Sequence, residues 1–409
     1  MPIRNRLKAT RATQNLFILV VTWLILFNGY FLSQWEMKGT QQDSILSLLD
    51  NNYYSQDGQP VPDPQPTFQT TRRDLYKAID LCIDVYLKEK VNAPCSIIHL
   101  TTHGVYLDFE TSERDFETQS LFGYVRWKKT VRSMYITSFL RKLHVKRNST
   151  MVFYHRDSIP EQMKGYPIIT HTTQSHQDFI LFPTPYMLRD LLNGELMNTI
   201  EYCTNPKLKM KVKPLQNRIH DVYFRGRHRN DFRLQVAYHH RKGTERLPFN
   251  VRFTDPPKDS NLTKVGVSPW TKKMEHEYLL TIRGGYSSQW DVYHDYVAGG
   301  VIVRETTDKK EFWNYDLISN YSHYFVNFDT VESIADEILN PDVQKRKQEM
   351  ANATSQAACS LLKPKKIYAF GQSFIEQYTQ VFESIDISKT YTLPSGRKWT
   401  PKLVKLPSS

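Results

Sequence analysis

From residue 72 onward, short runs of apolar, β-branched and aromatic residues alternate with stretches of helical periodicity, and this alternation restricts the fold more than any other feature of the chain. DLYKAIDLCIDVYLKEK, residues 74–90, puts Leu75, Ile79, Ile83 and Leu87 on one helical face. Ser96-Ile-Ile-His-Leu-Thr101 then reads as a strand, 124–143 as a basic amphipathic helix and Met151-Val-Phe-Tyr154 as a buried strand. Further strands are predicted at 166–170 and 178–182. A second alternation follows the Lys/Pro-containing stretch 205–217. Its strands are predicted at 222–224, 278–282, 300–303 and 324–327, and its helices at 231–240, 288–297 and 331–339. Strands separated by helices, twice over, predict an α/β protein of two domains with parallel sheets. Ligands of such sheets sit beyond the strand carboxyl ends, here in the cleft between the domains.

The chain has 409 residues, enough for two domains of ordinary size. Hydrophobic residues at 40% and aromatics at 13% exclude a mainly disordered chain. The formal charge of +12 raises the question of a polyanion partner. Where the charges sit argues against it. Arg4, Arg6, Lys8 and Arg11 precede the charge-free run LFILVVTWLILFNGYFL, residues 16–32. That run is long enough to cross a bilayer, and basic residues on its amino side put that side in the cytosol and the body beyond the membrane. The small-x-small cleavage site of a signal peptide is missing after it, where Ser33-Gln-Trp-Glu-Met37 follows, so an uncleaved signal anchor is expected. Lys389, Arg397, Lys398, Lys402 and Lys405 follow the last acidic residue, Asp386, and are expected to form a solvated tail. The body between these basic ends is nearly balanced. Asn148, Asn261, Asn320 and Asn352 each begin an N-x-[ST] sequon, in keeping with a secretory lumen. Cys82, Cys95, Cys203 and Cys359 allow two disulfides in any of three connectivities, or buried free thiols.

Three constellations carry chemistry. In the first, the strand 151–154 runs into His155-Arg156-Asp157 and a proline turn. A carboxylate at a strand's carboxyl end is well placed as a general base, but the residues alone favour Asp157 capping the turn or pairing with Arg156. In the second, Tyr223-Phe-Arg225-Gly226-Arg227-His-Arg229 leads into a helix bearing Arg233. Guanidinium groups and helix amino termini both favour phosphate, so Arg225, Gly226, Arg227, Arg229 and Arg233 are candidates for holding a diphosphate; a solvated basic face would read similarly. In the third, a strand ends in Arg283-Gly284-Gly285 with Ser287 and Ser288 at a helix start, the serines also serving as N-caps. Glu305 follows the next strand, where a sugar or ribose could be held.

The order and spacing of these blocks resemble glycosyltransferase family 90, the family of protein O-glucosyltransferases and fungal capsule-associated xylosyltransferases. Met151-Val-Phe-Tyr-His-Arg-Asp157 resembles its strand ending in the catalytic aspartate, and Pro167-Ile-Ile-Thr170 its following Pro-[IV]-[FI]-[ST] strand. Asp178-Phe-Ile-Leu-Phe-Pro183 resembles its D-I-x-x-P block, and Tyr223-Phe-Arg-Gly226 with Arg233 its F-R-G-x6-R block. Ile282-Arg-Gly284, Ala298-Gly-Gly300 and His323-Tyr-Phe-Val326 resemble its later blocks. The resemblance spans about residues 150 to 360. It implies a GT-B fold, two Rossmann-like domains with parallel sheets facing an interdomain cleft, here preceded by one transmembrane helix. It further implies inverting transfer of a sugar, glucose or xylose first, from a UDP-sugar to a hydroxyl of a protein or glycan. Asp157 becomes the base, Arg233 a ligand of the donor diphosphate, and Thr170 and Thr172 part of the acceptor and donor-sugar region. No cofactor or metal is expected. Where family members often carry an arginine after the glycine turn, this chain has Gln289-Trp290-Asp291.

The expected layout is a cytosolic tail (1–14), a signal anchor (15–32) and a stem (33–70), the last rich in proline and polar residues. An N-terminal domain with the acceptor side and base (71–205) and a C-terminal nucleotide-sugar domain (206–363) follow, then a C-terminal helix (364–386) and the basic tail (387–409). The expected setting is the Golgi membrane as a single-pass type II protein, with the endoplasmic reticulum second. Other readings are an inactive lumenal UDP- or glycan-binding homologue, an exostosin-like transferase and a sulfotransferase, the last lacking its phosphate loop after 96–101. A lumenal topology argues against nucleic acid as a partner.

Overall fold

A computed structural model of the chain describes residues 74–89, 94–108, 125–155, 160–171, 173–174, 180–228, 230–241, 247–258, 260–282, 292–306, 309–310, 324–382 and 384–404. The charge-free run 16–32 lies outside them, and among the described residues no helix is long and apolar enough to cross a membrane. All elements below belong to one unit, Tyr53–Ser409, distinct from Met1–Asn52.

The first half builds a six-stranded sheet. Helix α1 (Leu75–Glu89) leads into β1 (Cys95–Thr101), which turns back into β2 (Gly104–Asp108). Helix α2 (Val125–Leu140) precedes β3 (Ser149–Tyr154), and β4 (Ile168–Thr170) and β5 (Ile180–Leu181) follow. Leu75, Ile79 and Ile83 are buried as their spacing predicts, against Cys95, Ile97 and Val152. β3, β4 and β5 run parallel, but β1 is antiparallel to both β2 and β3. The expectation of a parallel sheet is therefore corrected in this half. Only Thr102 and His103 link β1 to β2, and a link that short can join antiparallel strands alone, because a parallel crossover needs a dozen residues or more. Helices α3 (Pro185–Leu192) and α4 (Glu195–Thr204) follow; Thr184 caps the first, its hydroxyl accepting from Met187 N.

The second half builds a five-stranded sheet in which every pairing is parallel. Its elements in chain order are β6 (Ile219–Arg227), α5 (Asp231–Arg241), β7 (Phe249–Asp255), β8 (His276–Thr281), α6 (Val292–Val297), β9 (Val301–Glu305), β10 (Val326–Phe328), α7 (Ser333–Leu339) and α8 (Pro341–Leu361). The spatial order is β10-β9-β8-β6-β7. Numbered along the chain, that is 2-1-3-4-5, one of the two common doubly wound orders. Helix α9 (Pro364–Val381) returns to the first sheet, where the Tyr378 hydroxyl donates to Thr150 O at 3.0 Å and Phe374 packs edge-on against Phe182. One continuous core joins Ile98, Met151 and Phe153 of the first sheet to Phe224, Leu280 and Val303 of the second. Disulfides close as Cys82–Cys95 and Cys203–Cys359, the latter tying α4 to α8.

The expected solvated tail is corrected for residues 387–404. Strands β11 (Tyr391–Thr392) and β12 (Lys398–Trp399) form a hairpin, and β13 (Leu403–Val404) pairs with β2 as the sixth strand. Leu393 and Trp399 are buried, and Trp399 stacks on His99 at 6.1 Å. The tail's charges are not free either. Arg397 bonds Asp84 at 2.7 Å, and Ser395 donates to Asp80 from both N and Oγ. A basic composition hid two apolar anchors, and those anchors decide where the segment goes.

Candidate functional site

The parallel strands of both sheets present their carboxyl ends to candidate residues. In the first sheet β3 ends at Tyr154, and His155 follows it, buried. Three elements hold His155. Its Nε2 lies 2.9 Å from Ser96 Oγ on β1 and 3.3 Å from Ser133 Oγ on α2, and the two hydroxyls lie 3.0 Å apart. Its backbone N donates to Pro94 O at 2.6 Å, and Arg132 donates to its carbonyl. Asp157, two residues on, lies outside the described residues, as does Thr172. Thr170 is buried at the end of β4, beside His171. These strand ends surround a small recess, no larger than a water molecule, lined by Tyr154, His155, Thr170, His171, Phe182 and Pro183. The strand-end position expected for a reacting group thus borders a small recess with mainly apolar walls and two imidazoles, His155 and His171, in its lining.

In the second sheet the chain order reverses between β6 and β8, and a doubly wound sheet binds its ligands at such a point. Arg233 sits across it. Arg233 is 3% exposed, and its guanidinium donates to Arg227 O, at the end of β6, at 2.9 Å and to Ile282 O, just past β8, at 2.7 Å. The local sequence dictates this placement. The Asn230 side chain caps α5 by accepting from Arg233 N at 2.9 Å, which turns the first helical turn back over the strand end. The guanidinium also lies over the Phe224 ring, 5.2 Å from its centroid. A Cβ at position 226 would meet that ring at 2.7 Å, so only glycine lets Phe224 sit beneath Arg233.

The remaining predicted residues separate into groups. Arg225 is half-buried and donates to Phe224 O and to Asn250, stacked over Tyr223 at 4.4 Å; burial holds its guanidinium below its usual pKa. Arg227 is exposed at the edge, and Glu305 is buried at the end of β9. Arg229, Arg283, Gly284, Ser287, Ser288 and the sequon Asn320 lie outside the described residues. The sequon residues Asn148, Asn261 and Asn352 are exposed. Sequence reasoning missed Ser96, Ser133 and Asn250. The available signal was a polar residue on an otherwise buried strand or helix face, which marks a bonded partner.

No protein-family model and no curated protein matches this chain.

Proposed function

We propose that the chain is an inverting glycosyltransferase that moves a sugar from a UDP-sugar to a hydroxyl of a protein or glycan. The observation that carries this reading is Arg233 straddling the switch point of the 2-1-3-4-5 sheet, a buried cation where such sheets take nucleotides. In this reading the GT-B architecture brings the carboxyl edge of β6 and β8 to the donor and the recess beyond β3 to the acceptor. The acceptor hydroxyl loses its proton to Asp157 as its oxygen bonds the anomeric carbon. The bond from that carbon to the diphosphate oxygen breaks, and its electron pair leaves with UDP. The negative charge gathering on UDP is met by Arg233 and the amino terminus of α5. No cofactor and no metal is assigned to the reaction; a cationic clamp takes the place of a Lewis acid.

The two disulfides support a body in an oxidising compartment, and the run 16–32 supplies the anchor of a single-pass type II protein, with the Golgi as the setting. The test is turnover of a panel of UDP-sugars by wild-type protein and by Asp157→Asn. Transfer is expected to fall at least ~100-fold in the variant while UDP affinity stays within about twofold. Near wild-type turnover in Asp157→Asn would remove the base. UDP binding without turnover of any donor would favour the inactive homologue, for which Gln289-Trp290-Asp291 in place of a family arginine speaks.

A further inference from the structure

Thr281 of β8 pairs directly with Arg304 of β9, and Arg304 with Asn327 of β10. On the other side Arg225 of β6 pairs with Arg252 of β7, and the Tyr223–Leu279 register, carried two residues on, brings Arg225 level with Thr281. Directly paired residues share a face of a sheet. One row therefore crosses all five strands near their carboxyl ends: Arg252, Arg225, Thr281, Arg304, Asn327. It holds three guanidinium groups and no carboxylate. Glu305 is the next residue on β9 and so projects from the opposite face, and Asp221 is engaged by His276 at 2.6 Å and Asn250 at 3.0 Å.

The middle of the row is incomplete. Arg304 is 5% exposed and Thr281 is 3% exposed, and among the described residues neither Arg304 Nη2 nor Thr281 Oγ1 has a hydrogen-bond partner. Arginine keeps its charge, and a buried guanidinium nitrogen left without a hydrogen-bond partner is costly. Two orphaned donors at adjacent positions on one face call for the same partner, an oxyanion. We propose that Arg304 and Thr281 form an oxyanion subsite for a phosphate or carboxylate of the bound ligand. Asn327, exposed on the outer strand, stands at its open end, and Arg225 and Arg252 extend the positive field that draws the anion in. The subsite stands on these contacts; only its assignment to a UDP-sugar rests on the transferase reading.

Calorimetry on the full-length chain with pyrophosphate, UDP, UDP-glucose and UDP-glucuronate tests it, comparing wild type with Arg304→Gln and Thr281→Val. If the subsite holds the diphosphate, all four probes weaken at least tenfold in Arg304→Gln and a few-fold in Thr281→Val. If it holds a carboxylate on the transferred sugar, UDP-glucuronate alone weakens. Unchanged affinity for all four, or no binding of any of them by wild type, overturns the proposal. Pyrophosphate binding that Arg304→Gln abolishes, in a protein that turns over no UDP-sugar, keeps the subsite and removes the transferase. Thermal melts separate a packing role: ligand-free Arg304→Met should melt no lower than wild type and should lose the upward shift that pyrophosphate gives. A lower ligand-free melt in that variant would make Arg304 structural and end the proposal.

Discussion

At the scale of the residue, Arg233 shows how one side chain joins stability to a site. Its two short bonds reach the carbonyls of Arg227 at the end of β6 and Ile282 just past β8. Lysine keeps the charge but cannot span two carbonyls with a planar fork. Arg233→Lys should therefore lower unfolding free energy by about 2–3 kcal/mol and weaken UDP binding at least ~10-fold. Denaturant titration and calorimetry on the same preparation check both halves. A variant that loses stability but keeps UDP affinity would confine Arg233 to the scaffold. The helix bearing Arg233 is readable from the sequence as 231–240, and it spans Asp231–Arg241 in the structure. What the side chain binds is not readable, because one partner is a backbone carbonyl 49 residues away and carbonyls carry no residue-type signal.

At the scale of the element, local periodicity served well where one apolar face is long. The 74–90 reading became Leu75–Glu89, and the 124–143 reading became Val125–Leu140. It failed at short or charged segments. β2 is hard to separate from β1 because only two residues lie between them, whereas β7, FNVRFTD, carries a legible period-2 alternation, Phe249, Val251 and Phe253 buried and Arg252 exposed, that sequence reasoning missed. The segment after Asp386 was misread for a related reason. Its lysines and arginines dominate composition, while Trp399 and Leu393 dominate energy, since burying a large side chain contributes about 1.5–3 kcal/mol. Deleting residues 387–409 should thus cost at least ~3 kcal/mol in chemical denaturation. A solvated tail would cost less than ~0.5 kcal/mol, and that smaller figure would refute the docking of β11 to β13 on the first sheet.

At the scale of the whole molecule, the disulfides bracket very different lengths of chain. Cys82–Cys95 closes a separation of 13 residues and Cys203–Cys359 one of 156. A crosslink restricts the unfolded chain more as the closed loop lengthens, so replacing the second pair by alanine should destabilise the protein by about 4–5 kcal/mol and the first by about 3. Equal losses, measured by denaturation of the two double variants, would show that native packing at each bridge outweighs loop entropy. The second bridge also joins α4 to α8, and α9 runs back onto the first sheet, so the two sheets share one core.

The sequence by itself determined the α/β class, most helices and strands, the strand-end position of the arginine cluster, and that four cysteines could pair. Each of these follows from spacing within about twenty residues, where the periods of helix and strand report which face is apolar. Only the tertiary structure decided the antiparallel β1 and β2, the 2-1-3-4-5 order, the choice among three disulfide connectivities, and the row that sets Arg304 beside Thr281. These depend on which distant surfaces meet. That choice is made by the sum of many weak packing contacts over the whole core, and no short stretch of chain contains it.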